Sequence, residues 1–152
     1  MSLGILDGLD VRLGLGLLRL GTDGRPEDVE ARAVLHFALE QGIRLFDTAD
    51  TYCRDDDDLH YGEALLRDAL GSWSGPLAEV RVVTKVGLSR PGGRWVPRGR
   101  PEDLRRAAEG SVTALGVEKL FLLLLHARDP GVPFEEQLAA LAEIQRDGLA
   151  TH

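Results

Sequence analysis

Strand-like and helix-like stretches alternate along the chain, and this alternation limits the folds open to it more than any other feature. Leu13 to Leu18, interrupted by Gly14 and Gly16, reads as a first strand. Pro26-Glu27-Asp28 then opens a helix, with proline and acids in the turn where a missing N–H and the helix dipole tolerate them. Val29, Ala33, Phe37 and Glu40 mark its course, Leu35 and Leu39 widen its apolar stripe, and Gln41-Gly42 ends it. Ile43 to Asp47 is the second strand, followed by a helix from about Tyr61 to Leu70. Val80 to Lys85 is the third strand, and Pro101 to about Leu115 the next helix. Leu120 to Leu125 is apolar at every position, as in a parallel strand covered on both faces. A last helix begins at Pro133 or Phe134 and ends near Asp147-Gly148.

Four strand–helix units in succession imply a parallel sheet with right-handed crossovers. The expected fold is therefore α/β, a partial TIM (β/α)8 barrel spanning residues 1–152 as one domain. A short hairpin over Ile5 to Val11, turning at Asp7-Gly8, precedes it. A barrel closes with eight strands, so four leave two edges unpaired and a sheet face incompletely covered. Leu149 to His152 falls where a fifth strand would begin. Such open edges are expected to drive self-association.

Composition excludes some classes of partner. The net charge of -7 argues against a nucleic acid or an acidic membrane surface, each of which calls for a basic patch. Cys53 is the single cysteine and allows no intrachain disulfide. The first residues lack the basic and apolar regions of a signal peptide, and Leu120 to Leu125 is too short to span a bilayer. A cytoplasmic protein is the expectation.

The strand ends carry the chemistry. Asp47 ends the second strand, Lys85 the third, and His126 follows the fourth, while Tyr52 lies in the loop after the second. In a βα barrel these ends converge on one mouth, where active sites form. An isolated tyrosine, with a pKa near ~10, is a poor acid at neutral pH. A neighbouring ammonium stabilises its phenolate, a carboxylate holds the ammonium, and a histidine can orient a carbonyl. The group suits protonation of a developing alkoxide while a nicotinamide, which the protein would have to bind, supplies hydride. Singly, each residue has a plainer use: Asp47 with Thr48 capping a turn, Lys85 on the surface, His126 as a structural hydrogen-bonder, and Tyr52 packing on the rim.

Four ordered motifs carry a family resemblance from roughly Leu13 to the last residue. Gly42-Ile43-Arg44-Leu45-Phe46-Asp47-Thr48-Ala49-Asp50-Thr51-Tyr52 resembles the aldo-keto reductase signature. Thr84-Lys85 resembles the family's catalytic lysine segment, and Leu124-Leu125-His126 its histidine. Gly62 to Leu70 is similar to the helix after the tyrosine, and Arg90 to Pro97 resembles one bacterial subgroup. The resemblance implies Tyr52 as general acid/base, Lys85 as the group that tunes it, and Asp47 as the lysine's ion-pair partner near the nicotinamide ribose. His126 is implied as substrate orienter or proton relay. It further implies NADPH as cofactor, a small carbonyl compound as substrate, and Gly16, within Gly14 to Arg19, beside the cofactor. Leu17 departs from the family there, where a small polar residue is common. The family's stacking and phosphate-binding residues lie mainly in the second half of the barrel. On this reading the chain is an N-terminal half that binds cofactor weakly and is inactive alone.

Two other segments invite roles. Cys53 to His60 contains four adjacent aspartates, but their spacing is not that of a calcium loop, and two zinc ligands fall short of four. No metal is expected there; a solvated loop is, in which Cys53 lies open to oxidation next to the general acid although no basic cluster beyond Arg54 argues for its thiolate. Arg90, Arg94, Arg98 and Arg100 with Trp95 form either an anion-binding stretch or a loop whose tryptophan packs over the mouth. A different functional class stays open too: a non-catalytic interaction module, a half-barrel that binds a partner through its open edges.

Overall fold

The computed structural model describes residues 13–152, so the hairpin expected over 5–11 lies outside the described residues. The elements follow in the order β1 (Gly14–Gly16), α1 (Leu18–Gly21), α2 (Asp28–Glu40), β2 (Leu45–Asp47) and α3 (Tyr61–Gly71). Then come β3 (Arg81–Val86), β4 (Leu88–Ser89), β5 (Val96–Pro97), α4 (Pro101–Leu115), β6 (Leu122–Leu125) and α5 (Phe134–Arg146). Strands β1, β2, β3 and β6 form one parallel sheet in that order, each following its neighbour in the chain through a helical crossover. This is the partial barrel that the strand–helix alternation predicts. Strands β4 and β5 form a small antiparallel hairpin after β3.

The first strand is shorter than the apolar run suggests. Leu17 donates to the Asp47 carbonyl at 2.9 Å and then accepts from Leu20, so the chain turns into α1. Its side chain, fully buried, goes into the core rather than extending the sheet.

Helix α2 buries Ala31, Leu35, Ala38 and Leu39, the i, i+4, i+7, i+8 face of a single stripe. Val29 and Phe37, expected on that face, are 67% and 62% exposed. Phe37 lies two residues beyond Leu35, about 200° around the helix, so both cannot face the sheet. The alanines let α2 lie close to Leu65, Leu66 and Ala69 of α3, all part of one core with Phe46 and Val86. Each fully buried leucine there contributes roughly 2 kcal/mol of apolar transfer.

The last strand also differs from expectation. Leu120, 1% exposed, stands apart from β6 and bridges in parallel to Ala150, with hydrogen bonds from Leu120 to Leu149 and from Thr151 back to Leu120. Residues 149–152 thus take the place of a fifth strand. Leu124 is 38% exposed, so β6 is covered on its helix side and open on its inner side. Among the described residues, no helix is long and apolar enough to cross a membrane.

Candidate active site

The sheet register places the four polar residues at one end. Gly16 pairs with Asp47, and Asp47 with Val83, while Lys85 pairs with Leu124 two residues further along. His126 follows β6 directly and is tied to β3 by its N–H, which donates to the Val86 carbonyl at 2.8 Å.

Lys85 reaches back across this stagger. Its ammonium donates to Asp47 Oδ1 at 2.6 Å, to the Thr48 carbonyl at 2.8 Å and to Tyr52 Oη at 2.8 Å. An ammonium has three N–H donors, and all three are used. The tyrosine hydroxyl therefore accepts from lysine and keeps its own proton to give away. Among the described residues that proton has only Asp47 Oδ1, 3.5 Å away and too long for a strong hydrogen bond.

Tyr52 itself is 7% exposed and held by its backbone. The Gly62 N–H donates to its carbonyl at 3.0 Å. A Cβ added at Gly21 would run into the Tyr52 carbonyl, and one added at Gly62 would lie 3.0 Å from it. Glycine at these two places lets α1 and α3 close on the loop.

His126 packs its ring edge-on to Tyr52, with centroids 5.7 Å apart, and its Nδ1 lies 3.4 Å from Thr51 Oγ1. Burial, and next the Lys85 charge, push its pKa down to about 4. The imidazole is neutral at physiological pH and acts as a hydrogen-bonding group. Trp95 stands edge-on to its other side at 5.8 Å, and the buried Arg90 stacks on Trp95 at 4.0 Å. The β4–β5 hairpin thus lays a tryptophan over the mouth, and Arg90 ties the hairpin to neighbouring loops: it donates to the Arg54 carbonyl at 3.2 Å and pairs with the Asp23 carboxylate at 3.5 Å. Gly16 sits beside Asp47, and a Cβ there would meet nothing within 4 Å, so the mouth is open at this point.

The loop between Tyr52 and α3 corrects one expectation. Cys53 is fully buried, and burial, then Asp58, push its thiol up to about 12; it is not a reactive thiol. The neighbouring aspartates hold the loop together. Asp55 accepts from the Asp57 N–H at 3.0 Å, and Asp58 pairs with Arg25 at 2.5 Å. Among the described residues, no three of His, Cys, Asp and Glu gather to hold a metal ion. Sequence reasoning missed Glu63, Thr84 and Asp50, all buried just behind the mouth. Glu63 carried a faint signal, an acid early in a helix, which reads more simply as a charge answering the dipole.

Residues 12–152 match the model of the aldo/keto reductase family, and the chain belongs to that family. It is 37% identical over 146 residues to an uncharacterized oxidoreductase of Schizosaccharomyces pombe, covering 93% of this chain and 45% of that protein. Among solved structures it is similar to the glycerol dehydrogenase of Gluconobacter oxydans, at 28% identity and a TM-score of 0.78, over 95% of this chain and 45% of that one. It is also similar to the holo form of an aldo-keto reductase of Bacillus halodurans, at 27% identity and a TM-score of 0.74, over 92% and 44% of the two chains. The chain spans less than half the length of these relatives.

Proposed function

We propose that this chain is the N-terminal half-barrel of a cytoplasmic, NADPH-dependent reductase of small aldehydes or ketones, with Tyr52 as the acid. One observation carries the reading: Lys85 spends all three of its donors on Asp47, Thr48 and Tyr52, leaving the tyrosine proton free to be given to a substrate oxygen. A carbonyl oxygen within hydrogen-bond reach of Tyr52 Oη takes that proton as it becomes an alkoxide. Lys85, at 2.8 Å, stabilises the phenolate left behind, and Asp47 holds Lys85 in place. His126, uncharged, orients the carbonyl by a hydrogen bond without competing for the proton.

The residues present fit the nicotinamide end of the cofactor. The Asp47 side chain is 38% exposed and can accept from ribose hydroxyls, and the open space at Gly16 admits a flat ring beside it. Bound there, the nicotinamide supplies the hydride. The likeness to a glycerol dehydrogenase supports chemistry between alcohol and carbonyl. The test is to express the complete reading frame and follow nicotinamide absorbance over a panel of aldehydes and ketones with NADPH and with NADH. Carbonyl-dependent oxidation of NADPH is expected, faster than that of NADH. No turnover with either cofactor would overturn the reading.

A further property follows from the inner face of the sheet. Leu124 is 38% exposed there, and among the described residues β1 has a strand on one side only. Burying such surface is favourable by about 25 cal/mol per Å2, and unpaired strand edges invite pairing. The 152-residue chain is expected to self-associate through these surfaces. Size-exclusion chromatography with light scattering should show species larger than 16.6 kDa. A monomer of that mass with a cooperative melt would contradict this.

A further inference from the structure

Behind the mouth lies a buried polar group that the proton transfer does not use. Glu63, at the third position of α3, has no exposed surface. Its carboxylate takes two short contacts: Thr84 Oγ1 donates to Oε1 at 2.5 Å, and His60 Nδ1 lies 2.6 Å from Oε2. Thr84 is the residue before Lys85 in β3, so strand alternation points Thr84 toward α3 and Lys85 toward the mouth. His60 closes the loop that carries Tyr52. Its N–H donates to the Asp50 carbonyl at 2.7 Å, just as the Gly62 N–H donates to that of Tyr52.

The position of His60 is maintained at a cost. Its φ is 68°, in the left-handed region that non-glycine residues avoid. On its far side a Cβ added at Gly110 would run into the imidazole, so α4 keeps glycine in mid-helix. Glycine inside a helix is less favourable than alanine. Two unfavourable local features thus serve one imidazole wedged between α3 and α4.

We propose that Glu63 is a positioning residue for proton transfer at Tyr52: its buried carboxylate couples the strand carrying Lys85, through Thr84, to the loop carrying Tyr52, through His60. The purpose of the coupling rests on the reductase reading above. Lys85 and Tyr52 come from different segments, and the 2.8 Å between Nζ and Oη depends on both being held in register. Glu63 is the acceptor common to the two segments.

The coupling responds to pH in a definite direction. His60 faces Glu63 on α3 and Asp50 in the loop after β2, and the cavity of about 270 Å3 beside it is also lined by Asp56, Arg98, Asp103 and Arg106. Burial pushes the imidazole pKa down, but Glu63 and then Asp50 more than offset this, and it ends above its ordinary value. A raised folded value means that the His60–Glu63 attraction is complete below about pH 6.5 and is lost as the pH rises through the folded value. Asp50, pushed up to about 7 by burial and then by Glu63, gains its charge as the pH rises through that value and adds repulsion. Both changes loosen the loop on the alkaline side.

The test is an NMR titration of the protein with 13C-labelled tyrosine and histidine rings, the Tyr52 signal being assigned with Tyr52→Phe. In the unmutated protein the Tyr52 ring signal should move with the His60 transition and share its midpoint. A Tyr52 signal that stays flat while His60 titrates overturns the proposal without any variant. Glu63→Gln and Thr84→Val should abolish the shared movement, and Thr84→Ser, which restores the hydroxyl, should bring it back. Shared movement that persists in a folded Glu63→Gln protein also overturns it; if that variant does not fold, the unmutated titration and the Thr84→Ser protein decide. No turnover is measured, so failure here leaves the reductase reading standing. A protein that reduces no carbonyl can still show the coupling.

Discussion

Replacing Tyr52 by phenylalanine is expected to lower carbonyl reduction by the complete protein roughly 10²–10⁴-fold, the range that a positioned acid contributes. The loss should fall on kcat, with cofactor affinity nearly unchanged, because the hydroxyl is assigned to proton transfer and not to binding. The backbone of Tyr52 is set by Gly21 and Gly62, and its ring by Lys85 and His126, so phenylalanine keeps the packing. Only the oxygen that receives the Lys85 hydrogen bond is lost. Steady-state kinetics and cofactor titration of the two proteins make the comparison. Near-normal turnover in the variant would show that another group gives the proton.

Asp50→Asn should stabilise the protein, and only on the alkaline side. Asp50 is 3% exposed, its Oδ1 has no hydrogen-bond partner among the described residues, and Glu63 lies close enough to repel its charge. Its folded pKa of about 7 stands above the ordinary 3.8, so the folded state prefers the neutral acid. The burden of ionisation is therefore absent below about pH 4, grows with pH and is complete above about pH 7. At about 1.4 kcal/mol per unit of pKa, it amounts to something on the order of 4 kcal/mol. Asparagine has the same shape and no charge. Denaturant unfolding at pH 4 and pH 8 should give equal stabilities in the first case and a gain of that order for the variant in the second. Equal stabilities at both would mean that the ionised carboxylate finds compensation in the fold.

How much of this was legible in the sequence differs from element to element. Asp47, Lys85 and His126 could be placed at one mouth because each ends or follows a strand, and parallel strands point their ends the same way. Tyr52 came with them through its short distance from Asp47. Helix α2 was placed correctly, but its face was not: Val29 and Phe37 are as apolar as Leu35, and nothing local says which stripe meets the sheet. Leu17 looked like a strand residue because its burial arises from a turn set by the Asp47 carbonyl across the sheet. Glu63 and Thr84 stand 21 residues apart, and their contact is a tertiary fact without periodicity to announce it. The loop carrying Trp95 over the mouth was legible from its glycines and prolines, but the stacking of Arg90 on that ring was not.

The pairing of Asp47 with Val83, rather than with Lys85, has a consequence for assembly of the site. The ion pair is a diagonal that spans two residues of strand, about 6.6 Å along the sheet, and only a side chain as long as lysine covers it. A slip of β3 by one residue would turn Lys85 into the helix layer and bring Thr84 to the mouth. A slip by two would keep the faces but move the ammonium a full repeat away from the carboxylate and the phenol. The proton-transfer group is thus encoded as an alignment between strands as much as a set of side chains, and misalignment during folding would yield a chain with every functional residue present and no chemistry.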